Sequence, residues 1–145
     1  MAAVDILDAY IDGLPGETRR LAHGEWGITL APDGAGGWPL DVGLRLAEGV
    51  LHAQAHALDS PEGLDPWMLL WWNRQTRYVR FACTQAREVW VHGELPVGVV
   101  DEREADRLLG LVVEGAIAVR EFQAAAQAAP KQPDSAGGSW LQPAG

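Results

Sequence analysis

The sequence contains little cysteine and little positive charge. Cys83 is the single cysteine, so no intramolecular disulfide can form and nothing indicates an oxidising compartment. It follows a run of β-type residues, where we expect a small, buried side chain. The 11 Lys and Arg residues stand against 20 Asp and Glu, which gives a formal net charge of −9. A surface of that sign repels nucleic acid and anionic membranes over most of its area.

Long apolar runs are also missing. No stretch approaches the roughly 20 consecutive apolar residues that a membrane-spanning helix needs. The first residues include Asp5 and Asp8, where a secretory signal would carry positive charge followed by a long apolar segment. These features predict a cytoplasmic protein.

Known catalytic motifs are not found in the sequence. It has no Gly-x-Ser-x-Gly elbow and no dinucleotide-binding fingerprint. The glycine-rich run 34–37 lies between two alternating segments and does not lead into a helix, so it predicts a hairpin turn and not a phosphate-binding loop. We therefore expect a protein that is not an enzyme and that has no cofactor.

The histidines offer a weak metal signal. His52 and His56 are four residues apart, a spacing that on a helix would let both bind one zinc ion. On a strand the same two side chains would lie roughly 13 Å apart, too far to share an ion. The segment 48–58 alternates like a strand, although its alanine and glutamine also favour a helix. No further ligand motif accompanies the pair, so no metal site is predicted.

Hydropathy periods divide the chain into helices and strands. Hydrophobic residues make up 48% of the sequence and include seven tryptophans, which is enough for one folded domain. The patterns predict the order α-β-β-β-α-β-β-α, an α+β fold in which helices pack on a twisted antiparallel sheet. Residues 1–128 are expected to form this single domain. Residues 129–145 form a Pro/Gly/Ser-rich tail, whose Trp140 either docks on a surface or is incidental.

The predicted elements carry apolar residues that are expected to face one common core. The segment that begins at Asp65 and Pro66 is apolar nearly all round, so it predicts a largely buried helix. The residues expected to form one core are Trp26, Ile28, Leu40, Val42, Leu44, Val79, Phe81, Val89, Val91, Leu108, Leu109 and Val112.

The second hairpin, residues 77–83 and 88–95, supplies the candidate functional residues. Tyr78, Arg80, Trp90 and His92 are in the opposite phase to its core residues and are expected on the open face of the sheet. Large aromatic and arginine side chains are typical anchors of protein interfaces, so these four residues are the predicted partner-binding site. Coverage by a second subunit or by the C-terminal tail is the alternative.

Residues 71–90 also mix arginine with aromatic side chains, the combination by which proteins bind single-stranded nucleic acid. The members of this cluster are Arg74, Arg77, Arg80 and Arg87 among Trp71, Trp72, Tyr78 and Trp90. The acidic surroundings favour protein binding, and a single-stranded nucleic-acid-associated role is the alternative.

Several of these segments together resemble the YbjN-like family, which is similar in fold to the type III secretion chaperones. The segments that carry the resemblance are 69–73 (Leu-Leu-Trp-Trp-Asn), 79–82 (Val-Arg-Phe-Ala), 89–96 (Val-Trp-Val-His-Gly-Glu-Leu-Pro), and Asp101-Glu102 leading into Leu108-Leu109. The resemblance covers about residues 64–120. It implies a twisted antiparallel sheet with helices on it, frequently a homodimer, and a role in engaging other proteins or in regulating stress responses. It implies no catalytic motif.

Overall fold

The computed structural model describes residues 2–128, which form one six-stranded antiparallel sheet and three α-helices. The strands are β1 (Glu17–Ala22), β2 (Glu25–Leu30), β3 (Leu40–Ala47), β4 (Val50–Leu58), β5 (Val79–Cys83) and β6 (Val89–Pro96). The helices are α1 (Ala3–Asp12), α2 (Pro66–Gln75) and α3 (Glu102–Ala128). The α+β fold class predicted from the sequence is confirmed. The predicted tail at 129–145, with Trp140, lies outside the described residues.

The strands are ordered β1-β2-β3-β4-β6-β5, so β1 and β5 are the edges of the sheet. The helix α3 packs across β4, β6 and β5, and α1 lies beside it. Every residue predicted for the core is buried in a single cluster between the sheet and these helices. The opposite face of the sheet carries no helix within residues 2–128.

Small residues allow α3 to lie close to the sheet. On β4 the side chains of Ala53, Ala55 and Ala57 face the core and are buried. On β6 a Cβ atom added to Gly93 would come within 2.7 Å of Leu108 Cδ1, a distance that real contacts do not reach. The alanine content that made segment 48–58 ambiguous is thus explained by a strand that lies under a closely packed helix.

The hydropathy pattern did not reveal β1. It predicted three strands before α2, and the structure has four. The strand Glu17–Ala22 is exposed along most of its length and carries charged side chains on both faces. It pairs with β2 alone, so it has no apolar alternation by which the sequence would reveal it.

The prediction that α2 is largely buried was wrong. Asp65 caps the helix by accepting a hydrogen bond from the Trp67 backbone N–H at 3.0 Å, and Pro66 begins it, as expected. No residue of α2 is buried, however. The helix lies against β5 at the edge of the sheet, and its outer side is left uncovered by residues 2–128.

Cys83 is likewise exposed and not buried as expected. It is the last residue of β5 and lines an apolar groove between that strand and α2.

Candidate functional site

The open face of the sheet brings together three of the four predicted site residues. Arg80 on β5 is paired with His92 on β6, and Trp90 lies one step further along the same face. The rings of Trp90 and His92 are 6.4 Å apart between centroids. We call Arg80, Trp90 and His92 the open-face cluster.

Tyr78 is not part of this cluster. A regular β-strand would place it opposite Glu94, but its φ of 67° takes it out of the extended conformation. Its ring lies 5.1 Å from the guanidinium carbon of Arg107 on α3, on the helix side of the sheet. The expectation that Tyr78 lies on the open face was therefore wrong, because the strand begins only at Val79.

Charge interactions fix the orientation of Arg80. Its Nη2 donates to Glu94 Oε1 at 2.5 Å across the two strands. This hydrogen bond, more than any other effect, lowers the pKa of Glu94. Burial, together with the neighbouring Arg80 charge, lowers the pKa of His92, so its imidazole is neutral near pH 7. The cluster thus presents an arginine paired with Glu94, one neutral imidazole and one large aromatic ring.

Strand β4 adds aromatic and polar groups that the sequence analysis did not assign to the site. The His56 ring stacks on Trp90, with centroids 4.9 Å apart and an interplanar angle of 19°. His52 and Gln54 lie on the same face as His56, since all three alternate with buried residues. The spacing of two residues between these side chains indicates one face of a strand. The helix-forming composition of the segment made that assignment ambiguous.

A shallow hollow of about 430 Å³ continues from the cluster toward β1. Gly43 on β3 leaves part of its floor without a side chain, next to Gln54 of β4. Its wall includes His92, Gln54 and His52, with Leu21 at the far side. The open face therefore offers a hollow that runs from His92 to Leu21 on the edge strand β1 and that fits an extended chain better than a small molecule.

A second exposed surface lies on α2. Trp67 is 76% exposed, Leu70 58% and Trp71 59%, which is unusual for side chains of this size. Beside them an apolar groove of about 380 Å³ runs between α2 and the end of β5. We call Trp67, Leu70 and Trp71 the α2 surface.

The arginine and aromatic residues of 71–90 do not form one continuous surface. Trp72 faces the core side of α2, with its ring 5.6 Å from Phe81 and 5.5 Å from Phe122. Trp71 belongs to the α2 surface, whereas Trp90 and Arg80 lie on the open face. The alternating track of cations and stacking rings that single-stranded nucleic acid requires is not formed by these residues.

No helix among residues 2–128 is long and apolar enough to cross a membrane.

Comparison with solved structures, but not with known sequences, identifies the fold of this protein. The sequence matches no protein-family model and no curated protein. Among solved structures, the HopA1–SchA chaperone–effector complex aligns with a TM-score of 0.64 at 12% identity, over 81% of this chain and 91% of the other. The Yersinia pestis type III secretion chaperone SycH, in complex with a fragment of YscM2, gives 0.59 at 17% identity, over 81% and 99% of the two chains.

YbjN from E. coli, described as a putative transcription regulator, aligns with a TM-score of 0.60 at 17% identity, over 86% of this chain and 92% of its own. The resemblance drawn from residues 64–120 thus holds across most of the chain at the level of structure. The protein has the fold that type III secretion chaperones share with YbjN.

Proposed function

We propose that this protein is a non-enzymatic, chaperone-like protein-binding module that acts as a homodimer and engages another protein on the open face of its sheet. The observation that carries the proposal is the open face, which no helix of residues 2–128 covers and whose hollow adjoins the open-face cluster at His92. The structures of like fold support it, since several were determined with a protein partner: SycH with a fragment of YscM2, and SchA with HopA1.

The composition of the open-face cluster supports a partner site. Trp90 offers a large apolar ring, and Arg80 offers directed donors beside it. The neutral His92 adds a donor and an acceptor without a charge that would need a partner. Interfaces that form and dissociate are more polar than permanent ones, and this face combines polar and aromatic groups in that way.

The α2 surface supports self-association. It is apolar, it projects from the edge of the sheet, and it adjoins an apolar groove. Homodimer interfaces are richer in apolar area than transient ones. We assign the α2 surface to the dimer and the open face to the partner, so that each can be disrupted without the other.

The test is capture of proteins from a lysate by the wild-type chain and by the Arg80→Ser/Trp90→Ser double variant. Neither side chain belongs to the buried core, so the variant should fold, dimerise and melt like the wild type. A specific protein retained by the wild type should be lost. The control is Arg103→Ser, at an exposed arginine of α3 on the other side of the sheet, which should retain that protein. If the Arg80/Trp90 variant retained that protein as well as the wild type does, the open-face cluster would not be its binding site.

A further inference from the structure

Three potential metal ligands meet at the end of the sheet next to Trp90. His56 comes from β4, Asp59 from the loop that follows it, and Glu88 from the residue before β6. His56 Nε2 lies 3.2 Å from Asp59 Oδ1 and 3.7 Å from Glu88 Oε2. One ligand atom of each residue lies within 4.8 Å of the other two.

The imidazole nitrogen at the centre of this group lacks a hydrogen bond. His56 Nε2 is enclosed by protein, and although Asp59 Oδ1 is close, the two do not align as donor and acceptor. A neutral imidazole with its lone pair toward two carboxylates would be repelled by both. A cation between the three groups removes the repulsion and satisfies the buried nitrogen.

The separations fit a small ion. A tetrahedral ion with ligands at 2.0–2.1 Å places neighbouring ligand atoms roughly 3.3 Å apart. The observed 3.2 and 3.7 Å are close to this value. Asp59 is 81% exposed in its side chain, so it has room to adjust its distance to Glu88.

We propose that His56, Asp59 and Glu88 bind a divalent transition-metal ion of the zinc class, with the fourth position open to water. One imidazole and two carboxylates are ligands that zinc, cobalt and nickel accept, whereas calcium prefers six to eight oxygen ligands. The sequence predicted no metal because only His52 and His56 stand at a spacing typical of a ligand pair. The structure places those two residues four apart on a strand and supplies the other ligands from residues distant in sequence.

A bound ion would act on the open-face cluster. His56 stacks on Trp90, and its ring also meets Trp38 edge-on at 6.2 Å. Fixing His56 by its Nε2 therefore fixes the ring on which Trp90 rests. It also ties the loop before α2 to the start of β6, so the ion would link the two candidate surfaces.

The experiment is a titration of the full chain, stripped of metal with a chelator, with Zn²⁺ by calorimetry and with Co²⁺ by visible absorption. The wild type should bind one ion per chain, and Co²⁺ should give the intense visible bands of a low-coordinate site. Asp59→Asn and Glu88→Gln should each weaken binding by at least about tenfold, since even changes to groups that merely support a ligand cost 10–100-fold. Zn²⁺ should raise the melting temperature of the wild type more than that of either variant.

Matched controls are His52→Gln, a histidine of the same strand outside the cluster, and Asp33→Asn, an exposed carboxylate in the loop before β3. Both should bind like the wild type. The proposal is overturned if the wild type binds neither ion, or if Asp59→Asn and Glu88→Gln bind as tightly as the controls.

Discussion

Arg120 on α3 joins two segments of the chain through their backbone carbonyl groups. Its guanidinium donates to the carbonyl oxygens of Ala35, Trp38, Pro39, His56 and Ala57, at 2.6–3.2 Å. Its guanidinium carbon also lies 3.4 Å from the centroid of the Trp38 ring. Burial lowers its pKa to about 10, which still leaves it charged at neutral pH. This residue holds the glycine-rich loop before β3 against the end of β4.

Arg120→Met should therefore destabilise the fold. The carbonyl groups of Ala35 and Ala57 are buried, and each loses its donor at a cost of about 1–3 kcal/mol, or roughly 2–6 kcal/mol together. Urea denaturation measures the free energy of unfolding. Arg103→Met, on an exposed position of the same helix, should change it by less than about 0.5 kcal/mol. An equally small change for Arg120→Met would show that the loop is held by other contacts.

His92 couples stability to pH. Burial and the Arg80 charge lower its pKa in the folded protein below the value of about 6.5 in the unfolded chain. Near and below pH 6.5 the unfolded chain then binds more protons, so stability falls as the pH drops and levels off below the folded pKa.

In His92→Gln the dependence of the unfolding free energy on pH, measured between pH 7.5 and 5.5, should be shallower than in the wild type. Gln54→Ala, at an exposed residue that does not titrate and that is paired with His92 across the sheet, serves as the control and should leave the slope nearly unchanged. If His92→Gln has the wild-type slope, His92 is not the group responsible.

Among the elements, α2 is the helix whose environment the sequence described least well. Its apolar residues on all sides indicated burial, yet only Leu69 and Trp72 pack against the core. Asn73 holds the helix to β5, since its Oδ1 accepts from the Phe81 N–H at 2.6 Å and its Nδ2 donates to the Phe81 carbonyl at 3.1 Å. The remaining apolar side of α2 is left uncovered by residues 2–128 and offers apolar area to a second molecule.

Trp67→Ser/Trp71→Ser should abolish self-association without unfolding the chain, because both side chains are largely exposed. Light scattering over a micromolar dilution series should give about twice 15.6 kDa for the wild type and 15.6 kDa for the variant. Leu21→Ser, an exposed apolar residue on the edge strand β1, is the matched control and should remain dimeric. A wild-type mass of 15.6 kDa at every concentration would contradict the dimer.

Sequence periodicity identified the elements that have one buried face. β2, β3, β5 and β6 alternate because one face meets the helices, and their inward residues, except Cys83, were predicted correctly. β1 was not predicted because an edge strand that is exposed on both faces has no alternation of apolar and polar residues. The side of the sheet on which Tyr78 lies was also predicted wrongly, because no sequence feature indicates a positive φ at a tyrosine.

At the scale of the whole molecule, the sequence predicted the arrangement of sheet and helices but only part of the candidate site. Arg80, Trp90 and His92 were found because strand alternation alone places them on the open face. His56 was missed as their neighbour because β4 and β6 are adjacent in the sheet but separated by α2 and β5 in the chain. Pairing between distant strands is fixed by the packing of the whole core, which no local pattern encodes.

The central claim is that another protein binds along the open face. Site-specific photo-crosslinking tests it most directly, with a photoreactive phenylalanine analogue at Gln54, an exposed position on the hollow beside the cluster. The same analogue at Arg103, on the exposed side of α3, is the control. The account predicts adducts with a distinct second protein from position 54, absent from position 103 and lost when Arg80 and Trp90 are replaced by serine. Adducts between copies of this chain alone, or the same adducts from both positions, would contradict it.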